Sequence, residues 1–148
     1  NTGITALFTS SRVSLEQRNQ AESIMCAVGK VVWIKEETLM DTVTAVSGSG
    51  PAYFFYFMEA LEQAAIEEGL DEETARLLTL ETALGAARLA IETTESPSEL
   101  RNQVTSPGGT TEAAIQVLEH AGINQILKRA VNAARGRSAD LSISSGTD

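Results

Sequence analysis

Reactive side chains are scarce in this chain of 148 residues. With one cysteine, Cys26, no internal disulfide can close and no thiolate cage for a metal can form. A lone thiol fits a reducing compartment, and a cytoplasmic location is expected. Cys26 lies in an apolar helical pattern with Ile24, Met25, Ala27 and Val28, which reads as core rather than as a nucleophile. His120 is the only histidine, and Ala121-Gly122 follows it directly. That setting suits a polar group at a helix end better than a member of a Ser-His-Asp or Cys-His site.

Positive charge is also short. Eleven basic residues face 20 acidic ones, for a net charge of -9. This excludes a protein that wraps nucleic-acid phosphates and a polybasic membrane anchor. An anionic ligand would have to be attracted by a local field, because the overall one repels it. No apolar run approaches the ~18 residues of a membrane helix, and no basic-then-apolar start suggests a signal peptide. Hydrophobic residues nevertheless make up 43% of the chain, enough to exclude a wholly disordered one.

The first 36 residues differ from the rest. Gly3 to Phe8 reads as a short strand, and Ser14-Leu15-Glu16-Gln17 as a capping box. The helix it starts is expected to reach about Val28 and stop at a left-handed Gly29. Val31-Val32-Trp33-Ile34 is a second strand candidate. Strand, helix and strand make a βαβ-sized unit, too little sheet to stand alone.

From Glu37 the pattern is helical. One helix is expected from Thr38 to about Ser47, then a break at Ser47-Gly48-Ser49-Gly50, then a helix opened by Pro51 and closed by Gly69. Tyr53 to Phe57 hold five of the seven aromatic residues, and a run covering every face of its turn is expected to be buried on several sides. Asp71 is the next N-cap, and Leu77, Leu80, Leu84, Ala87 and Ile91 form an apolar stripe beside Ala83, Ala86 and Ala90, which suits close helix packing. Glu67 to Glu73, the one charge run, reads as a solvated corner; its spacing does not match a calcium loop. Ser96-Pro97-Ser98-Glu99 combines N-cap, N1 proline and N3 glutamate and opens a short helix ending near Thr105. Helices from Thr110 to His120 and from Ile123 onward complete the chain, with a frayed tail from Ser142 to Asp148.

Two glycine motifs invite a chemical reading. Gly48-Ser49-Gly50-Pro51-Ala52 superficially matches a dinucleotide fingerprint, but it follows a helix and Tyr53 takes the third glycine place. It therefore reads as a close-packed break between helices. In Thr105-Ser106-Pro107-Gly108-Gly109-Thr110-Thr111 the glycines let backbone approach a ligand, and the following helix points free N–H groups outward. Four hydroxyls add donors. This is either a compact anion site without a basic side chain or a plain loop with a threonine cap.

The residues Pro97, Leu100 and Val104 to Thr111, followed by Ala113-Ala114-Ile115 and Leu118-Glu119, resemble the signature segment of pyrroline-5-carboxylate reductases. Asp41 to Tyr53 resembles a second signature of that family, and the likeness covers nearly all of residues 37–140. Residues 1–36 look like the last part of the family's nucleotide-binding domain, with Asn1-Thr2 matching an Asn-Thr-Pro element and Gly3 departing from its proline. The resemblance implies a mainly α fold, a helical dimerisation and substrate-binding domain at 37–148 behind a βαβ remnant at 1–36. It implies reduction of the imine of 1-pyrroline-5-carboxylate to L-proline with NADPH or NADH, in a homodimer or larger homo-oligomer whose helical domains dimerise through interlocked helices. By the same resemblance Ser106 and the backbone N–H groups of Gly109 and Thr110 hold the substrate carboxylate at the Gly108 turn. Val104 lines the pocket, and Thr111 acts catalytically as a hydrogen-bond donor to the ring nitrogen. A threonine hydroxyl has too high a pKa for an ordinary general acid, so a water relay or an already protonated imine fits better.

The chain shows no strand, glycine-rich turn and helix of the dinucleotide type, so cofactor binding by this chain in the usual way is not expected. Two other readings compete: a non-catalytic helical dimerisation module, and the C-terminal domain of another imine or hydroxyacid reductase. The latter usually relies on a catalytic lysine or a distinct acid, and Lys30, Lys35 and Lys128 are all far from the glycine motif in sequence.

Overall fold

A computed structural model describes residues 3–145, without the side chain of Ser145; the Asn1-Thr2 element lies outside the described residues. The elements run β1 (Gly3–Leu7), α1 (Leu15–Cys26), β2 (Gly29–Trp33), a 3-10 turn (Glu37–Leu39), α2 (Met40–Val43), a π-helical turn (Thr44–Gly48), α3 (Gly50–Glu67), α4 (Glu72–Glu92), α5 (Pro97–Gln103), α6 (Thr110–His120) and α7 (Ile123–Ser145). The fold is mainly α with a small βαβ unit in front. The chain divides into two compact units, one comprising the residues up to Pro51 with those from Lys128 on, the other Ala52–Leu127.

In the first unit β1 and β2 pair in parallel, in register from Gly3–Gly29 to Leu7–Trp33, with α1 as the crossover. The capping box is present: the Gln17 N–H donates to Ser14 Oγ at 3.2 Å, and the Ser14 N–H donates to Gln17 Oε1 at 3.0 Å. Trp33 fastens strand to helix. Its indole N–H donates to Glu22 at 3.0 Å, and the Arg18 guanidinium lies 4.1 Å above its ring.

Two expectations fail here. Gly29 is not a left-handed helix stop but the first residue of β2, where a Cβ would run into the carbonyl of Gly3. The glycine is needed for close strand approach rather than for positive φ. Cys26 is exposed rather than core, because two strands are too narrow to cover α1, which has no buried residue.

The stretch 38–47 is not one regular helix. It passes through 3-10, α and π turns, and the Ser49 N–H reaches back five residues to the Thr44 carbonyl at 2.8 Å. Pro51 explains the widening. It has no N–H to donate and its ring would crowd the Ser47 carbonyl, so the coil opens ahead of it. Ala45 is fully buried in this turn, and the Ser138 hydroxyl of α7 donates to Asp41 at 2.7 Å, fastening α7 to α2. The expected fraying from Ser142 is corrected for residues 142–145, where α7 stays helical; the rest of that tail, residues 146–148, lies outside the described residues.

In the second unit each start signal places a helix. The Thr74 N–H donates to Asp71 at 2.9 Å, opening α4, and residues 67–73 form an exposed corner turned by Gly69 at φ 104. Ala75, Thr79 and Leu100 are the buried centre among the described residues of this unit. The aromatic run is not covered: Phe54 is 69% and Tyr56 74% exposed, and Leu77 on α4 is 60% exposed. These faces of α3 and α4 are largely open within this unit, with Ile123 and Leu127 of α7 lining a pocket beside Tyr53, Phe54 and Phe57.

Candidate functional site

The second glycine motif is the link between α5 and α6. Both ends are fixed by short-range bonds. At the start of α5 the Ser96 N–H donates to the Glu99 carboxylate at 2.7 Å while Ser96 Oγ accepts the Glu99 N–H at 3.3 Å, and Pro97 supplies its fixed φ. The helix closes at Gln103, two residues short of the expected Thr105, and the Thr105 hydroxyl donates back to the Arg101 carbonyl at 2.6 Å. Arg101 of α5 also pairs with Glu119 of α6 at 3.5 Å, a half-exposed contact worth about 0–1 kcal/mol.

Between the helices Ser106-Pro107-Gly108-Gly109 forms a tight turn closed by the Gly109 N–H on the Ser106 carbonyl at 3.0 Å. Proline second and a glycine at φ 71 third is the signature of a type II turn. Gly109 is the N-cap of α6, and it brings no side chain to that role. The starts of α1, α4 and α5 are each satisfied by a Ser or Asp side chain; the start of α6 is not. The N–H groups of Thr110 and Thr111 therefore have no acceptor among the described residues, and the hydroxyls of Ser106, Thr110 and Thr111 have no partner there either. Two convergent backbone donors on a helix dipole form a local positive pole in an acidic chain, able to hold a carboxylate.

Residues 37–141 match the family described as pyrroline-5-carboxylate reductase dimerisation. The chain belongs to that family. It is 49% identical over 139 residues to the pyrroline-5-carboxylate reductase of Pseudomonas aeruginosa, a match covering 94% of this chain and 51% of the relative. Among solved structures, a pyrroline-5-carboxylate reductase from Coxiella burnetii aligns with a TM-score of 0.89 at 51% identity, over 93% of this chain and 51% of that one. The Plasmodium falciparum pyrroline carboxylate reductase, solved with NADP bound, aligns with a TM-score of 0.79 at 30% identity, over 90% of this chain and 51% of that one. The chain thus spans about half the length of the relatives it matches.

Within this dimerisation family segment the motif residues do not all serve one place. Ser106, Gly108, Gly109, Thr110 and Thr111 share the turn and the first turn of α6. Val104, 61% exposed, instead lines a groove of about 520 Å³ between α4 and α5, with Gly85, Ala86, Leu89 and Leu100. The Gly109 N–H is engaged by Ser106, so the N–H groups of Thr110, Thr111 and Glu112 are the open donors. Glu112 escaped the reading of hydroxyls and glycines. Its carboxylate accepts the Gly108 N–H at 2.8 Å. The signal that finds it is its place three residues after the N-cap, from which a carboxylate reaches back over the helix start. His120 ends α6, its Nδ1 2.6 Å from the Gln116 carbonyl, away from the turn in sequence and in bonding.

Proposed function

We propose that this chain is the substrate-binding and dimerisation part of a reductase that converts 1-pyrroline-5-carboxylate to L-proline. The observation that carries the proposal is the side-chain-free N-cap at Gly109, inside the family segment, which leaves the Thr110 and Thr111 N–H groups open to a carboxylate. The Ser106 hydroxyl adds a third donor on the adjacent turn. Reduction of a C=N bond leaves an extra electron pair on nitrogen, and a donor fixed in advance at that atom lowers the barrier. The Thr111 hydroxyl, one residue into α6 beyond Thr110, is the donor assigned to it.

The division of the chain follows the same reading. Residues 1–36 are the closing part of a nucleotide-binding domain and 37–148 the helical domain, a boundary supported by the start of the family match at residue 37. The described βαβ unit does not itself fit a dinucleotide pyrophosphate: residues 8–14 between β1 and α1 contain no glycine, and Ser14 already caps α1. NADPH or NADH is accordingly proposed for the whole reductase rather than for this unit, with the NADP-bound Plasmodium falciparum relative as support. The exposed faces of α3 and α4 support a homodimer. No described helix is long and apolar enough to cross a membrane, and a cytoplasmic location belongs to the proposal.

The test is Thr111→Ala in the reductase that contains this chain. A fall in kcat/KM on the order of a hundredfold is expected, with unchanged thermal stability. Wild-type turnover would remove Thr111 from the chemistry. NADPH oxidation by the 148-residue chain alone would overturn the division of labour.

A further inference from the structure

The turn read as the carboxylate site already holds one carboxylate. Glu112, half-buried in the first turn of α6, accepts the Gly108 N–H at 2.8 Å. This peptide is the one that must hold Gly108 at φ 71, so the bond fixes the part of the turn that an ordinary residue avoids. Together with the Gly109 bond to Ser106 it pins both glycine N–H groups and leaves the N–H groups of Thr110, Thr111 and Glu112 as the open donors of the helix start. A bond to an ionised acceptor is about twice as strong as a neutral one, so this is more than an incidental contact. It also keeps a fixed negative charge within the first helical turn, where a bound anion would feel it.

We propose that Glu112 is the positioning and selectivity residue of this site. Through the Gly108 peptide it orders the turn so that the open donors converge on a single carboxylate. Through its charge it disfavours ligands with a second negative charge, selecting a monocarboxylate. The inference rests on the reading of residues 106–111 as the substrate carboxylate site.

Two substitutions separate the roles. Glu112→Gln keeps an oxygen for the Gly108 N–H but removes the charge; Glu112→Ala removes both. The 148-residue chain is titrated with L-proline and, separately, with inorganic phosphate, following the amide resonances of residues 108–111. E112A is expected to weaken proline about tenfold, from the loss of a charge-assisted bond. E112Q is expected to hold proline within about twofold of wild type and to bind phosphate roughly fivefold more tightly, from removal of like-charge repulsion. A role in helix capping alone would not change the ratio of phosphate to proline affinity. Equal effects of E112Q on both ligands overturn the selectivity role, and wild-type proline affinity in E112A overturns the positioning role. Should E112A fail to fold, the E112Q ratio still decides the proposal. If wild type shows no proline binding at these amides, the substrate-site reading falls and the Glu112 inference with it, an outcome distinct from the variant results.

Discussion

Asp71 and Glu99 are exposed, yet both titrate below their ordinary range. The Thr74 N–H holds the Asp71 carboxyl below 3.8, and the Ser96 hydroxyl and N–H hold that of Glu99 below 4.5. In both the folded pKa lies below the unfolded one. The stabilisation is therefore complete above the ordinary values and is lost as pH falls through the lowered ones. The thermal midpoint should stay level from neutrality to about pH 5 and decline below it. An Asp71→Asn, Glu99→Gln variant should show a shallower acid limb; an unchanged limb would assign the acid sensitivity to other carboxylates. Removing the cap itself, by Ser96→Ala, should cost about 1 kcal/mol, read as a midpoint several degrees lower.

Helix starts were legible in the sequence because their causes are local. Ser14 with Gln17, Asp71 with Thr74 and Ser96 with Glu99 each act over three residues, and each is found bonded as its spacing implies. The π turn was not legible. Thr44 to Gly48 can all enter an ordinary helix, and the reason they do not is Pro51, beyond the turn. Nor was the role of Gly29, since the atom that demands a glycine there is the carbonyl of Gly3, across the sheet. Gly29→Ala should therefore weaken the β1–β2 pairing by about 1–3 kcal/mol, the range for forcing an extra carbon into a close contact. Hydrogen exchange would show it: faster exchange at the Ile34 amide, which donates to the Leu7 carbonyl at 2.8 Å, with α4 unaffected. Equal rates in the two proteins would mean that the strands can part and accommodate the methyl group. At the candidate site, the glycines and hydroxyls were legible as a motif, whereas the pinning of Gly108 by Glu112 needed the fold of the turn.

At the scale of the molecule, the apolar pattern of α3 and α4 is correct as a pattern but is not satisfied within one chain. A sequence shows that Phe54 and Leu77 need cover, not which chain supplies it, so the expected burial of the aromatic run failed for the single chain. A homodimer that covers these faces should be lost on Phe54→Glu with Leu77→Glu, giving a slower-sedimenting species. The melting temperature of wild type should rise with protein concentration, because assembly stabilises the folded chain. Concentration-independent melting and unchanged sedimentation of the double variant would place the interface elsewhere.

The anchoring of Trp33 has a spectroscopic consequence. It is the chain's only tryptophan, and it lies in the first unit, while both tyrosines, Tyr53 and Tyr56, lie in the second. Indole emission responds to the cation stacked on its face and the carboxylate on its N–H, and both are lost when α1 leaves β2. Tyrosine emission follows α3 and its surroundings in the second unit. Coincident curves at the two wavelengths would indicate one cooperative transition, and separated curves two independent ones. The native chromophores thus distinguish the βαβ unit from the helical one in a single melt, without a dye or a substitution.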